Sequence, residues 1–332
     1  MWLQLRLYLL ISLVFTILFG ILAGLAYLLQ YVGYIQLSNM GFFYLLFILA
    51  FLMVFIQYLI GPKIVEWTMK VKYIKPNEYP KLHRMVETLA QDANLPKTPK
   101  IGISEVKLPN AFAFGRTKRD SRVCVTRQLM DILSDEELKS VLGHEIAHIQ
   151  HRDVAVITML SVVPMICYML YIMFFWGGLF SRRQRDSGSM IAIGLLALAI
   201  YFITSLFVMY ASRIREYYAD LGSVQLGNQP HHLATALYKL SISSAKTPKN
   251  ILKQAEGMKA FFLNDPSNAL AEVRAIKDID IDMSGTIDQN ELRILSEKKV
   301  KISTGSKVME VMSTHPNMVK RIKQLSELQE TY

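Results

Sequence analysis

Ser134-Asp-Glu-Glu-Leu-Lys-Ser-Val-Leu-Gly-His-Glu-Ile-Ala-His-Ile-Gln-His151 runs into the apolar stretch Val154–Phe180 with only Arg152 and Asp153 between them. Ser134 followed three residues later by Glu137 is a capping box, so a helix is predicted from Asp135 to about His151. Within it His144 and His148 are one turn apart on the same face, and both imidazoles can reach one Zn²⁺ at about 2.0–2.1 Å. Glu145 stands about 100° around the helix from His144. It can address a metal-bound water without binding the metal. Zinc lowers that water's pKa to about 7, and the carboxylate takes its proton as attack begins. HExxH alone arises by chance in many proteins. The capping signal before it, the apolar run after it and the presence of a suitable third ligand make it a catalytic motif here.

His151 shares the face of His144 and His148 but lies roughly 10 Å along the axis from His144, at 1.5 Å per residue, so one ion does not take all three. It reads as a surface residue or as support for a ligand. A metzincin would carry histidine at position 154, which is Val154. The third ligand is expected further on, in Arg215-Glu-Tyr-Tyr-Ala-Asp220, where Glu216 and Asp220 share one helical face. Glu216 can complete a His₂Glu site with a fourth position open, and Asp220 can orient a ligand imidazole through its other nitrogen. The bland alternative is a solvated acidic pair at a helix start.

Four runs free of charged residues are long enough to cross a bilayer: Leu7–Leu29, Gly41–Ile60, Val154–Phe180 and Met190–Ser212. With 52 % hydrophobic and 19 % charged residues, the composition is that of a membrane protein. The first run reads as an anchor and not as a removable signal peptide, and its Gly20 and Gly24 allow a close helix contact. The net charge of +10 suits anionic lipid, and no nucleic-acid module is recognisable. Cys124 and Cys167 build neither a disulfide framework nor a metal site. Arg6 before the first run and Lys63, Lys70, Lys72 and Lys75 after the second, with none in Tyr31–Met40, put the catalytic face in the cytoplasm. Arg182, Arg183 and Arg185, against Asp186, disagree if the second hairpin crosses fully, so it either crosses or re-enters.

Residues 61–153 and 213–332 are the aqueous parts, alternating with the hairpins 1–60 and 154–212. In the first aqueous part a helix is expected over Tyr79–Asn94, and strands over Lys100–Val106, Asn110–Gly115 and Val123–Thr126, the last two as a hairpin. The expected fold class is mainly α with a small β-sheet: four membrane-embedded helices and a cytoplasmic α+β zinc protease domain of gluzincin type.

With HEIAH at 144–148, EYYAD at 216–220, Pro109-Asn-Ala-Phe-Ala-Phe-Gly115, Ser313-Thr-His-Pro316 and the N-terminal hairpin, nearly the whole chain resembles the HtpX group of membrane zinc metalloproteases, relatives of the Ste24-type prenyl-protein proteases. The resemblance implies zinc ligands His144, His148 and Glu216 with Glu145 as general base. It implies a catalytic edge strand beginning at Asn110 that pairs with substrate backbone, and His315 as an oxyanion donor. It also implies broad-specificity quality control (a stress-response role), with misfolded or damaged membrane proteins cut from the cytoplasmic side. Prenyl-protein processing is the second enzymatic reading, and a non-catalytic calcium-sensing scaffold is the rival from another class.

One stretch departs from the family pattern. Asp280-Ile-Asp282-Met-Ser284-Gly285-Thr286-Ile-Asp288-Gln-Asn-Glu291 matches a twelve-residue EF-hand loop, with ligands Asp280, Asp282, Ser284, the Thr286 carbonyl, Asp288 and Glu291, and glycine at the sharp turn. Helices are expected on both sides, over Ala269–Lys277 and Glu291–Lys298. Ca²⁺ is therefore expected as a second ion, and no second loop is present to pair with this one.

Overall fold

The computed structural model describes residues 41–180, 187–248, 273, 276, 279–297 and 304–329. The expected span Leu7–Leu29, the connection Tyr31–Met40 and the arginines at 182, 183 and 185 lie outside the described residues. So does the helix expected over Ala269–Lys277, apart from positions 273 and 276. The chain divides into two compact units.

The unit holding residues 156–211 contains most of two long apolar helices, α5 (Asp153–Leu179) and α6 (Ser187–Gln225). Among the described residues these two are long and apolar enough to cross a membrane. They pack on each other through Leu160, Val163, Ile166, Leu170 and Phe174 of α5 and Ile193, Ala197 and Ala211 of α6. Their remaining faces show Met159, Leu195, Leu196 and Phe202, as helices solvated by lipid do. The hydroxyls in these runs are satisfied locally: Ser161 donates to the Ile157 carbonyl and Ser205 to that of Tyr201. The apolar run Gly41–Ile60 forms part of a third helix, α1 (Gly41–Thr68), which continues past Pro62.

The other unit, residues 60–155 and 212–332, carries a sheet and the remaining helices. Its elements are β1 (Val71–Tyr73), α2 (Pro80–Asp92), β2 (Lys100–Ser104), β3 (Ala111–Thr117), β4 (Asp120–Thr126), α3 (Arg127–Ile132) and α4 (Asp135–His151). After the membrane helices come α7 (Pro230–Ala245), α8 (Gln289–Glu297), α9 (Thr304–Val311) and α10 (Met318–Gln329). The sheet order is β1-β2-β4-β3, with β2 and β4 parallel and the other pairs antiparallel. Strand β3 is thus an edge. The short strand β1, with only three residues, has no readable alternation and was not expected from the sequence.

Helix α4 starts as its sequence requires. Ser134 accepts the Glu137 N–H and Glu137 accepts the Ser134 N–H. Val141, Leu142 and Ile146 bury one side of α4 in a core with Leu82, Val86 and Leu89 of α2, Val123 and Val125 of β4, Leu233, Leu237 and Leu240 of α7, and Ile322 and Leu325 of α10. Arg152 ends α4 in the left-handed conformation, at φ 58°, and α5 begins at the next residue.

Two expectations need correction. Glu216 and Asp220 do not stand near a helix start. Helix α6 runs unbroken from the apolar run through Gln225, because nothing between Met190 and Gln225 breaks it. Both acids are buried, at 6 % and 0 % exposure, so a solvated pair is ruled out. Strand β2 ends at Ser104 and not at Val106, where the Ser104 hydroxyl donates to the Met69 carbonyl.

The C-terminal part of α6 meets α4 at very short range. A methyl group added at Gly222 would stand 2.5 Å from the Ala147 Cβ, and one at Gly143 would stand 2.9 Å from the Ser223 Oγ. Helix propensity alone favours Gly222→Ala by about 1 kcal/mol, whereas forcing a methyl into a rigid methyl contact costs about 1–3 kcal/mol. The contact should win. Gly222→Ala is expected to lower the thermal unfolding midpoint of the detergent-solubilised protein, and a raised midpoint would show that the two helices separate freely.

Candidate active site

The close contact of α4 and α6 puts three side chains around one point. His144 Nε2 and His148 Nε2 are 3.1 Å apart. Glu216 Oε2 is 3.6 Å from the first, and Glu216 Oε1 is 3.6 Å from the second. Ligands at about 2.0–2.1 Å from a tetrahedral ion lie roughly 3.3–3.4 Å from one another, so the three atoms fit one zinc. His151 is not part of this group. Its ring stands against Tyr218, and its main-chain carbonyl accepts from Arg215.

The outer nitrogens fix how the imidazoles point. His144 Nδ1 is 2.9 Å from Asp220 Oδ1, and His148 Nδ1 is 2.6 Å from Asp153 Oδ2. A carboxylate requires an N–H there, which leaves both Nε2 lone pairs facing each other. A metal ion between them would accept both. Glu216 is buried, and its two oxygens turn one to each Nε2. Two of the buried carboxylates, Glu216 and Asp220, share the buried guanidinium of Arg321.

Arg321 comes from α10. Its Nε and one terminal nitrogen donate to Asp220 at 2.9 and 2.7 Å, and the other terminal nitrogen is 3.2 Å from Glu216 Oε2. Burial favours the neutral acid of Asp220, but the Arg321 charge and the bond from His144 outweigh it and hold its pKa down. Glu216 behaves likewise: burial pushes up, while His315, Arg321 and His144 pull it well below the usual carboxylate range. Burial would lower the His144 pKa, but its bonds to Asp220 and Glu216 raise it to about 9 in the metal-free protein. Glu145, buried against α4's neighbours, has its pKa raised mainly by burial, and its carboxylate accepts the main-chain N–H of Ala113 on edge strand β3.

His315 lies at the border of the cluster, with Nε2 3.8 Å from Glu216 Oε1. Thr314 contacts its Nδ1 and the Ser313 hydroxyl accepts its main-chain N–H. Asn110 is buried immediately before β3, and its main chain is clamped by Thr126 in both directions. The acidic loop lies away from this cluster. Carboxylate oxygens of Asp280, Asp282 and Glu291 come within 4.8 Å of one another. Gly285 has φ 82°, and Ser284 contacts the Thr286 hydroxyl. Asp288 and Glu291 accept each other's main-chain N–H groups. The loop is pinned to α7 by Tyr238 on Asp280 and by Thr235 on both polar groups of the Ile287 main chain.

Two residues of this architecture were not anticipated. Arg321 occupies the apolar face of α10, between Met318 and Leu325, and a lone cation on such a face is the signal that marks it. Asp153 pairs with His148 and also with Arg215. Asp153 was legible only as the acid that precedes an apolar run.

Residues 76–329 match the profile of the family described as Peptidase family M48. A protein of Methanothermobacter thermautotrophicus named "Protease HtpX homolog" is 50 % identical over 238 residues, 72 % of this chain and 85 % of that one. "Protease HtpX homolog 2" of Methanosarcina acetivorans is 35 % identical over 288 residues, 86 % of this chain and 85 % of the relative. Among solved structures, that of S. mikatae Ste24p superposes with a TM-score of 0.51 at 16 % identity, covering 97 % of this chain and 67 % of that one, a likeness of fold.

Arg321→Lys keeps the charge but cannot span Asp220 and Glu216 with a rigid fork. Zinc affinity, measured by competition with a chromogenic chelator, is expected to fall by about 10–100-fold, as for other groups that hold ligands in place. Unchanged affinity would assign Arg321 to folding alone.

Proposed function

The chain belongs to peptidase family M48 and is a membrane metalloprotease acting on polypeptides, and on that premise we propose that His144, His148 and Glu216 hold its zinc and Glu145 is its general base. The observation that carries this reading is the convergence of His144 Nε2, His148 Nε2 and the two Glu216 oxygens on one point, 3.1–3.6 Å apart. Bound zinc supplies Lewis acidity, polarising the scissile carbonyl and making water a nucleophile near neutral pH. The chain supplies the rest. Substrate backbone adds to the free edge of β3, where main-chain hydrogen bonds hold it without regard to sequence. Glu145 takes the proton of the attacking water and returns it to the leaving amine. The raised pKa that burial gives Glu145 suits that exchange. His315 donates to the developing oxyanion, and Asn110 anchors the start of β3. Asp220 and Asp153 keep the two imidazoles in the tautomer that presents Nε2, and Arg321 balances the acids.

The natural task we infer is quality control of misfolded or damaged membrane proteins, which backbone-based recognition suits. The chain would cross the membrane four times with its catalytic unit in the cytoplasm. The lysines at 63, 70, 72 and 75 support that orientation. The acidic loop would take Ca²⁺, supported by the convergence of Asp280, Asp282 and Glu291 and by the turn at Gly285. It would set the order of α8, which packs on α10 through Lys323 and the Leu295 carbonyl.

Glu145→Gln is expected to keep zinc, by metal analysis, and to cut casein about 10²-fold more slowly or worse; near-normal cleavage sinks the mechanism. A cysteine at the exposed Lys97 should react with an impermeant maleimide only after the cells are opened, and labelling of intact cells reverses the orientation. Calcium at fixed zinc should raise the unfolding temperature of the wild type but not of Asp280→Ala/Glu291→Ala. Calorimetry without calcium binding at millimolar concentration removes the second ion.

A further inference from the structure

A cavity of about 560 Å³ opens beside His148, within the unit that carries the sheet. One wall is edge strand β3 from Ala113 to Thr117, and the opposite wall is the junction of α4 and α5. Small residues keep it open. Ala113 presents only a methyl, and Gly115 can be nothing larger, since at φ 150° its Cβ would meet the Asp120 carbonyl at 2.1 Å. Ile149 and Val154 make the interior apolar.

The rim is cationic. Lys118 and Arg119 form the turn between β3 and β4, and Arg152 is the left-handed residue that ends α4. None of the three has an ion-pair partner among the described residues. The nearby acids are already committed. Asp120 is paired with Arg116 and Arg122, and Asp153 with Arg215 and His148. An excess of positive charge therefore surrounds an apolar recess reached directly from the edge strand and the His148 ring.

We propose that this cavity is a substrate side-chain subsite selective for an acidic residue, whose methylene stem lies on Ile149 and whose carboxylate meets Lys118, Arg119 and Arg152. The proposal rests on the reading that substrate lies along β3. Main-chain pairing makes the protease tolerant, and this one recess gives it a preference at a fixed place relative to the cut. Three solvated charge pairs amount to roughly tenfold discrimination. Because the rim is solvated, that discrimination weakens near 1 M salt, where the Debye length is about 3 Å.

The test uses the full-length, zinc-loaded protein in detergent with a peptide library and mass-spectrometric mapping of the cuts. It then uses matched peptides bearing Glu, Gln or Lys at the enriched position. The expected result is acid enrichment at one fixed position and a kcat/KM about tenfold higher for Glu than for Lys at low salt, shrinking at high salt. Lys118→Glu/Arg119→Glu should invert the order. Lys118→Gln/Arg119→Gln should abolish the preference and serves if the reversal variant fails to fold. Equal use of Glu and Lys peptides, or an acid preference that survives in the folded variants, overturns the subsite and leaves the protease reading standing. No cleavage of any peptide overturns that reading and the subsite with it.

Discussion

Everything at the cluster depends on two helices touching where a glycine of each meets a small side chain of the other. Gly222 of α6 lies on Ala147 of α4, and Gly143 on Ser223. Side chains of ordinary size would hold the two axes several ångströms further apart. Glu216 would then no longer reach the midpoint between His144 and His148. The same closeness is costly, because it buries Glu145, Glu216 and Asp220 together in a place from which water is largely excluded. Carboxylates so placed repel one another and lose their hydration. The family chemistry therefore comes with an electrostatic liability that the rest of the fold has to answer.

The answer comes from α10. Arg321 reaches in from the far side with a planar fork that fits Asp220 in two hydrogen bonds and still approaches Glu216. Its hydrophobic neighbours Met318, Ile322 and Leu325 fasten α10 to α7 and α8, so the guanidinium is held by the core and not by a loop. On the other imidazole the same logic is repeated with Asp153 and Arg215. Each histidine thus has a carboxylate behind it, and each carboxylate has an arginine behind it. That layering fixes ring orientation without asking any single hydrogen bond to carry it.

The local elements were legible because their causes are local. The Ser134–Glu137 box, the spacing of His144 and His148, the apolar runs of α5 and α6 and the β3–β4 hairpin all declare themselves within a few residues. Asp220 was also legible as support for an imidazole, since it shares a helical face with Glu216. Arg321 was not. Its role is set by residues 101 and 177 positions away, and no periodicity links them. Asp153 was hidden by its position, where an acid before an apolar helix reads as a simple N-terminal charge. Strand β1 was too short to alternate. Gly143 and Gly222 looked like minor losses of helix propensity, because the contact that requires them joins segments distant in sequence.

The separation of Arg321 from its partners also orders events in time. A ribosome makes His144, His148 and Glu216 well before it makes the residue that balances them, 177 positions after His144. Until α10 emerges and docks, the acids have no guanidinium to share, and the cluster has no reason to close.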